Sequence, residues 1–286
     1  MRATMGKIRW VVALAALVLT ATPARGQGQQ NPPTPPAQPG QPAPPAKPAF
    51  TIDSAPPPVN PEEEAAYKTF YELKASDVTR QIQAGEEFLK KYPASRYCES
   101  VYSRLTSAYI SINDVDRMMT AGEKALELKP DDVDVLALMA LVMPRRVNPA
   151  ALDANQKLDR SEKYAKQSIS LLANLPKPAG LSDADFAKAK NEKLSMAHSG
   201  LGFVYFHRQK YADSATELEQ ATKLASTPDP VDYFLLGVVL EQTKRYADAV
   251  AAYGHCADVS GVMQARCKQA LESARKQAAA KPAPPK

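Results

Sequence analysis

The chain has 286 residues, 44% of them hydrophobic, enough to bury a substantial core, but its 25 prolines are too unevenly spread for one uniform domain. Its formal charge of +5 falls to +1 once residues 1–26, which carry Arg2, Lys7, Arg9 and Arg25 and no acid, are set aside. The remainder therefore has no electrostatic footprint of a nucleic-acid binder.

Met1 to Gly26 has a basic start, an apolar run from Trp10 to Leu19 and small residues at Ala21, Ala24 and Gly26. This is the pattern of a secretory signal peptide, cut after Ala24 or Gly26. The apolar run is short for a bilayer span, and no cysteine lies nearby to accept a lipid. The expectation is an exported protein, periplasmic or secreted, with no transmembrane span in the mature chain, tethered to the membrane if the signal is retained. Residues 27–60 follow as a disordered linker. Twelve of the 25 prolines fall between Pro32 and Pro58 among Gln, Ala and Gly, a composition that favours polyproline II and cannot build a core. It reads as a tether, or as a ligand for a partner's aromatic groove.

From about residue 61 a period of about 34 residues sets in. The first copy, about 62–95, ends in EEFLKKYPAS with Phe88 at position 27 and Pro93 at position 32 of the period. The second, 99–132, places Tyr102 at 4, Leu105 at 7, Tyr109 at 11, Ala125 at 27 and Pro130 at 32, with Met118 larger than usual at 20. The third, 133–177, carries an insertion after Met143. There Asn148-Pro149 predicts a helix start, running to Leu172 and stopped by Pro176-Lys177-Pro178. Ser182 then caps an unusually long helix reaching about Arg208, whose first turns should overhang the stack.

The clearest copies are the last two. In 195–228, Leu201-Gly202 stand at 7 and 8, Tyr205 at 11, Tyr211 at 17, Ser214 at 20, Leu218 at 24 and Ala221 at 27. In 230–263, Tyr233 stands at 4, Leu236-Gly237 at 7 and 8, Tyr246 at 17, Ala249 at 20, Tyr253 at 24 and Cys256 at 27. Small residues at 8 and 20 allow two antiparallel helices to touch. Residues 262–277 read as one amphipathic helix closing the core, and 278–286 as a disordered tail.

These positions resemble the tetratricopeptide (TPR) repeat of exported bacterial proteins, from about 62 to 277. The resemblance implies an all-α solenoid and a scaffold rather than an enzyme. It also implies a concave groove lined by positions 2, 5, 9 and 12 of each first helix, where a protein or peptide segment lies. In the last two repeats those positions are Met196, Ser199, Phe203, Phe206, Val231, Phe234, Val238 and Glu241. Members that grip a C-terminal carboxylate use Lys and Asn there, so that clamp is rejected and an apolar partner segment is expected on Phe203, Phe206 and Phe234. These aromatics would otherwise be covered by the overhang, the insertion or the curvature of the stack.

No residues form a nucleophile elbow, phosphate loop or zinc-protease helix, so no catalytic, cofactor or metal site is expected. His198, His207 and His255 occur singly, and the His255-Cys256 neighbours point to different faces of a helix. Cys256 and Cys267 lie on consecutive antiparallel helices about a turn near Gly261. In an oxidising compartment they either bridge or pack as two small core residues, with Cys98 unpaired in both cases. The function expected is a non-enzymatic adaptor in the cell envelope. The alternatives are a permanent subunit of an envelope or secretion assembly, held by its convex face, or an accessory factor of an envelope enzyme.

Overall fold

The computed structural model describes residues 60–280, which form eleven α-helices and no strand. The signal segment, the proline-rich linker up to residue 59 and the last six residues lie outside the described residues. The helices are α1 (Pro61–Glu72), α2 (Val78–Lys91), α3 (Cys98–Ser111), α4 (Val115–Leu128), α5 (Val133–Arg145), α6 (Ala154–Ala173), α7 (Asp183–His207), α8 (Tyr211–Leu224), α9 (Pro230–Gln242), α10 (Tyr246–Asp258) and α11 (Gln264–Ala280). Each packs on the next, giving five helix-turn-helix pairs and a last helix, α11, against α10.

The repeat register is written into three turns. Asn113, Gln209 and Lys244, at the same position of their repeats, have φ of 59°, 59° and 62°. In each turn this residue's N–H bonds the carbonyl three back, Ile110, Phe206 or Glu241, at 2.9 Å. The next N–H bonds the carbonyl five back, Tyr109, Tyr205 or Leu240, at 2.8–2.9 Å. This is a Schellman ending, and it reverses the chain within three residues. The turn between α5 and α6 is built differently. Asn148 Oδ1 accepts from the Ala150 N–H at 3.0 Å, closing a single turn, and the helix expected at Asn148-Pro149 begins only at Ala154. Leu152, fully exposed, has nothing to pack against that would continue a helix from Asn148.

Glycine at position 8 is required by contact. A Cβ on Gly202 would stand 2.6 Å from Leu218, and one on Gly237 would stand 2.4 Å from the Tyr253 ring. The neighbour that forbids a side chain is thus position 24, while position 20 contributes a hydrogen bond: Ser214 Oγ donates to the Gly202 carbonyl at 2.7 Å. One core runs from Phe70 to Met143 and includes Leu105, Met118, Leu136 and Met139; another joins Leu218, Leu235, Leu240 and Tyr253 to Ala274 of α11. Helix α5, which supplies much of the first core, is apolar on nearly every face and buried from Val135 to Ala140.

The 25-residue α7 starts at Ser182, whose hydroxyl accepts from the Asp185 N–H at 3.1 Å, with Asp183 and Asp185 favourably placed in the first turn. Only its second half faces α8, where Ser195 Oγ donates to the Ala221 carbonyl at 2.8 Å. The first turns run past α8 and are held by Lys193 to Asp134 at 2.9 Å and by Lys190 to the Ala173 carbonyl at the end of α6. At the other end α11 continues through Ala280, so residues 278–280, expected in the tail, are helical.

Candidate partner-binding groove

The first helices of the last two pairs, α7 and α9, touch, and α11 follows as a third wall. Asp229 sets the start of α9: its carboxylate accepts from the Val231 N–H at 2.9 Å, ahead of Pro230 in the first turn. The resulting face carries Met196, Phe203 and Phe206 from α7 and Val231, Phe234, Val238 and Glu241 from α9, all half-buried. Phe203, Phe206, Phe234 and Val238 rest on the second core, Met196 on the first. Glu241 accepts from the Tyr253 hydroxyl at 3.1 Å, and burial beside this carboxylate pushes the Tyr253 phenol up.

Ser199 does not line the groove. It is 1% exposed, and its hydroxyl donates to Asp232 Oδ1 at 2.7 Å. The same cluster holds Arg145, from the end of α5, whose Nη1 donates to Asp229 Oδ2 at 2.6 Å. Its Nη2 donates to Asp232 Oδ1 at 2.5 Å and to Ser199 Oγ at 2.8 Å. Three helices are joined by one guanidinium. Burial pushes the Asp232 carboxyl up; Arg145 works against this and Asp229 adds to it. The Arg145 guanidinium also lies 4.8 Å from the Phe203 ring centroid, and that of Arg266 lies 4.5 Å from Phe234. Two of the three aromatics expected to receive the partner are therefore covered on one face by a cation.

Neither arginine was evident from sequence as a site residue. Arg145 reaches partners 84 and 87 residues away, and Arg266 lies on a helix expected only to close the core. The available signal for Arg145 was its place as the cation ending a helix, Val133–Arg145, that is apolar from Val135 to Pro144, with two aspartates at the start of α9.

The recurring helix pairs and turns coincide with the periodic positions, and a tetratricopeptide repeat family model matches residues 233–261. The chain is a TPR-like helical repeat protein. No curated protein matches the sequence. Solved structures similar to the TPR-like array include a thermophilic TPR protein of Thermus thermophilus, 14% identical, covering 75% of this chain and 99% of that one, with a TM-score of 0.43. An assembly chaperone of RpL4 is 11% identical, covering 77% and 100%, with a TM-score of 0.41. The TPR domain of P58(IPK) is 12% identical, covering 75% and 65%, with a TM-score of 0.33.

The three histidines are held in contacts within the TPR-like array. His198 Nδ1 lies 2.6 Å from Glu217 Oε2, tying α7 to α8; His207 Nε2 donates to the Pro144 carbonyl at 3.0 Å; His255 stacks on Tyr233. Among the described residues no group of three or more His, Cys, Asp or Glu could hold a metal, and no helix is long and apolar enough to cross a membrane. Cys256 and Cys267 are joined, with Cα atoms 5.6 Å apart, linking α10 to the first turn of α11, while Cys98 is a buried free thiol. Two cavities, about 350 Å³ lined by α8, α9 and α10 and about 840 Å³ lined mainly by α4 with Arg146, Lys157 and Arg160, include none of the groove residues.

Proposed function

We propose that this protein is an exported, non-enzymatic adaptor that holds an apolar segment of a protein partner against the α7–α9 face. The observation carrying the reading is the row of half-buried Phe203, Phe206 and Phe234 on adjacent first helices. Such aromatics are the residues that dominate interface energies when a partner finishes burying them. TPR folds generally serve as protein-binding scaffolds, which supports the adaptor role, and the residues of the first 26 positions support export to the envelope.

Site-specific photo-crosslinking tests it. A photoreactive residue replacing Met196 or Val231 in the groove is compared with one replacing Leu128, 56% exposed on the second helix of its pair. Adducts with an envelope protein are expected from positions 196 and 231 and not from 128. Adducts from 128 alone would transfer the contact to the outer face and favour a permanent structural subunit.

A further inference from the structure

Resting on that groove reading, the structure distinguishes two arginine–phenylalanine stacks within one site. The Arg145 guanidinium, over Phe203, is committed to the half-buried Asp229 and the buried Asp232. Arg266, over Phe234, is exposed, and among the described residues no carboxylate lies within ion-pair distance of it. Its helix does more than close the core. Arg266 contacts Phe234 near the start of α9, and Gln277 Nε2 donates to Glu241 Oε1 at 3.4 Å near its end. These contacts, eleven residues apart on α11 and seven on α9, set α11 alongside α9 as an added wall of the groove. The bridge at Cys267 anchors the turn that carries Arg266.

We propose that Arg266 is the charged recognition element of the groove, pairing with an Asp or Glu side chain of a partner segment whose neighbouring apolar residues lie over Phe203 and Phe206. A guanidinium presents a planar fork that matches a carboxylate with two parallel hydrogen bonds. Stacking on Phe234 fixes the plane of that fork and removes water from one side, so the pair is stronger than one between two free side chains. Glu241, on the same wall, repels an anion from the other end and so sets the direction of the segment. A side-chain carboxylate fits better than a chain terminus, because a terminus is held by several converging donors, whereas Arg266 presents one guanidinium.

The test selects a phage-displayed library of random dodecapeptides on the full chain. Recovered sequences are expected to carry Asp or Glu beside Leu, Ile or Phe. A synthetic, C-terminally amidated consensus peptide should bind about tenfold more weakly when its acid is replaced by the amide. In Arg266→Gln, with an unchanged melting midpoint, that difference should disappear. Peptides that require Phe203 but show no acid, or an acid preference surviving Arg266→Gln, would overturn this assignment and leave the groove standing. Loss of binding on amidation would move the carboxylate to a chain terminus and overturn the side-chain assignment. A library yielding no binder sensitive to Phe203→Ser, with native helicity retained, would overturn the groove reading itself and this proposal with it.

Discussion

Arg145 and Asp232 show how a buried charge is held in an apolar array. Removing one partner of such a pair leaves the other uncompensated in a low-dielectric site, at a cost of about 3 kcal/mol. Arg145→Met should therefore lower stability by about that amount at pH 7. The Asp232 carboxyl already sits above its ordinary range, because burial favours the neutral acid. The folded chain thus binds the proton more readily than the unfolded chain. The penalty of an ionised, unpaired Asp232 is complete above its folded value and fades as pH falls through that value. Denaturant titrations of Arg145→Met and the parent should accordingly differ most at neutral pH and converge on acidification; a gap constant with pH would place the loss elsewhere. Gly200 makes a sharper case. A Cβ there would stand 2.3 Å from the Ala140 carbonyl oxygen, a backbone atom that also accepts from Ser161. Helices α5 and α7 must separate to admit it, so Gly200→Ala should cost about 3 kcal/mol, read as a lowered melting midpoint.

At the scale of elements, the three Schellman turns place Asn113, Gln209 and Lys244 in the left-handed region. For a residue with a Cβ this conformation costs about 1 kcal/mol, which glycine avoids while losing more entropy on folding. Lys244→Gly is expected to be neutral or stabilising by up to about 1 kcal/mol, whereas the same change at Arg245, one residue on and not left-handed, should not stabilise; urea midpoints of the two variants decide this. The Cys256–Cys267 bridge closes a short loop between α10 and α11. Loop-closure entropy for a separation of 11 residues corresponds to about 3 kcal/mol. Thiol titration of the unfolded, non-reduced chain should find one free thiol, that of Cys98, and three would exclude the bridge. With a reductant present, amide exchange should rise first in α11.

For the whole molecule, stability is a sum of neighbouring contacts, because each helix pair packs chiefly on the next. The core built from Phe70 to Met143 contains no residue of α8 to α11. A chain ending at Gly261 loses Cys267, Leu271 and Ala274, and so uncovers Tyr253 and Cys256. Amide exchange in this truncated chain should accelerate through α9 and α10 while α1 to α4 keep their protection. A uniform increase along the chain would instead mark a single cooperative unit.

The same nearest-neighbour character explains what could be read in advance. The helix pairs, their register, the small residues at Gly202 and Gly237, and the aromatic face of α7 and α9 follow from a local period, since each repeat buries itself against its sequence neighbours. The sequence by itself determined these features. The tertiary structure decided that Ser199 turns inward to Asp232, that Arg145 clasps the start of a helix more than eighty residues away, and that Arg266 stands over Phe234. It also decided that Gly200, rather than only position 8, must lack a side chain. These depend on the distance and rotation between helices that are not consecutive, here altered by the long 146–153 loop and the extended α6 and α7. No local repeat encodes that geometry; it appears only when the helices are stacked.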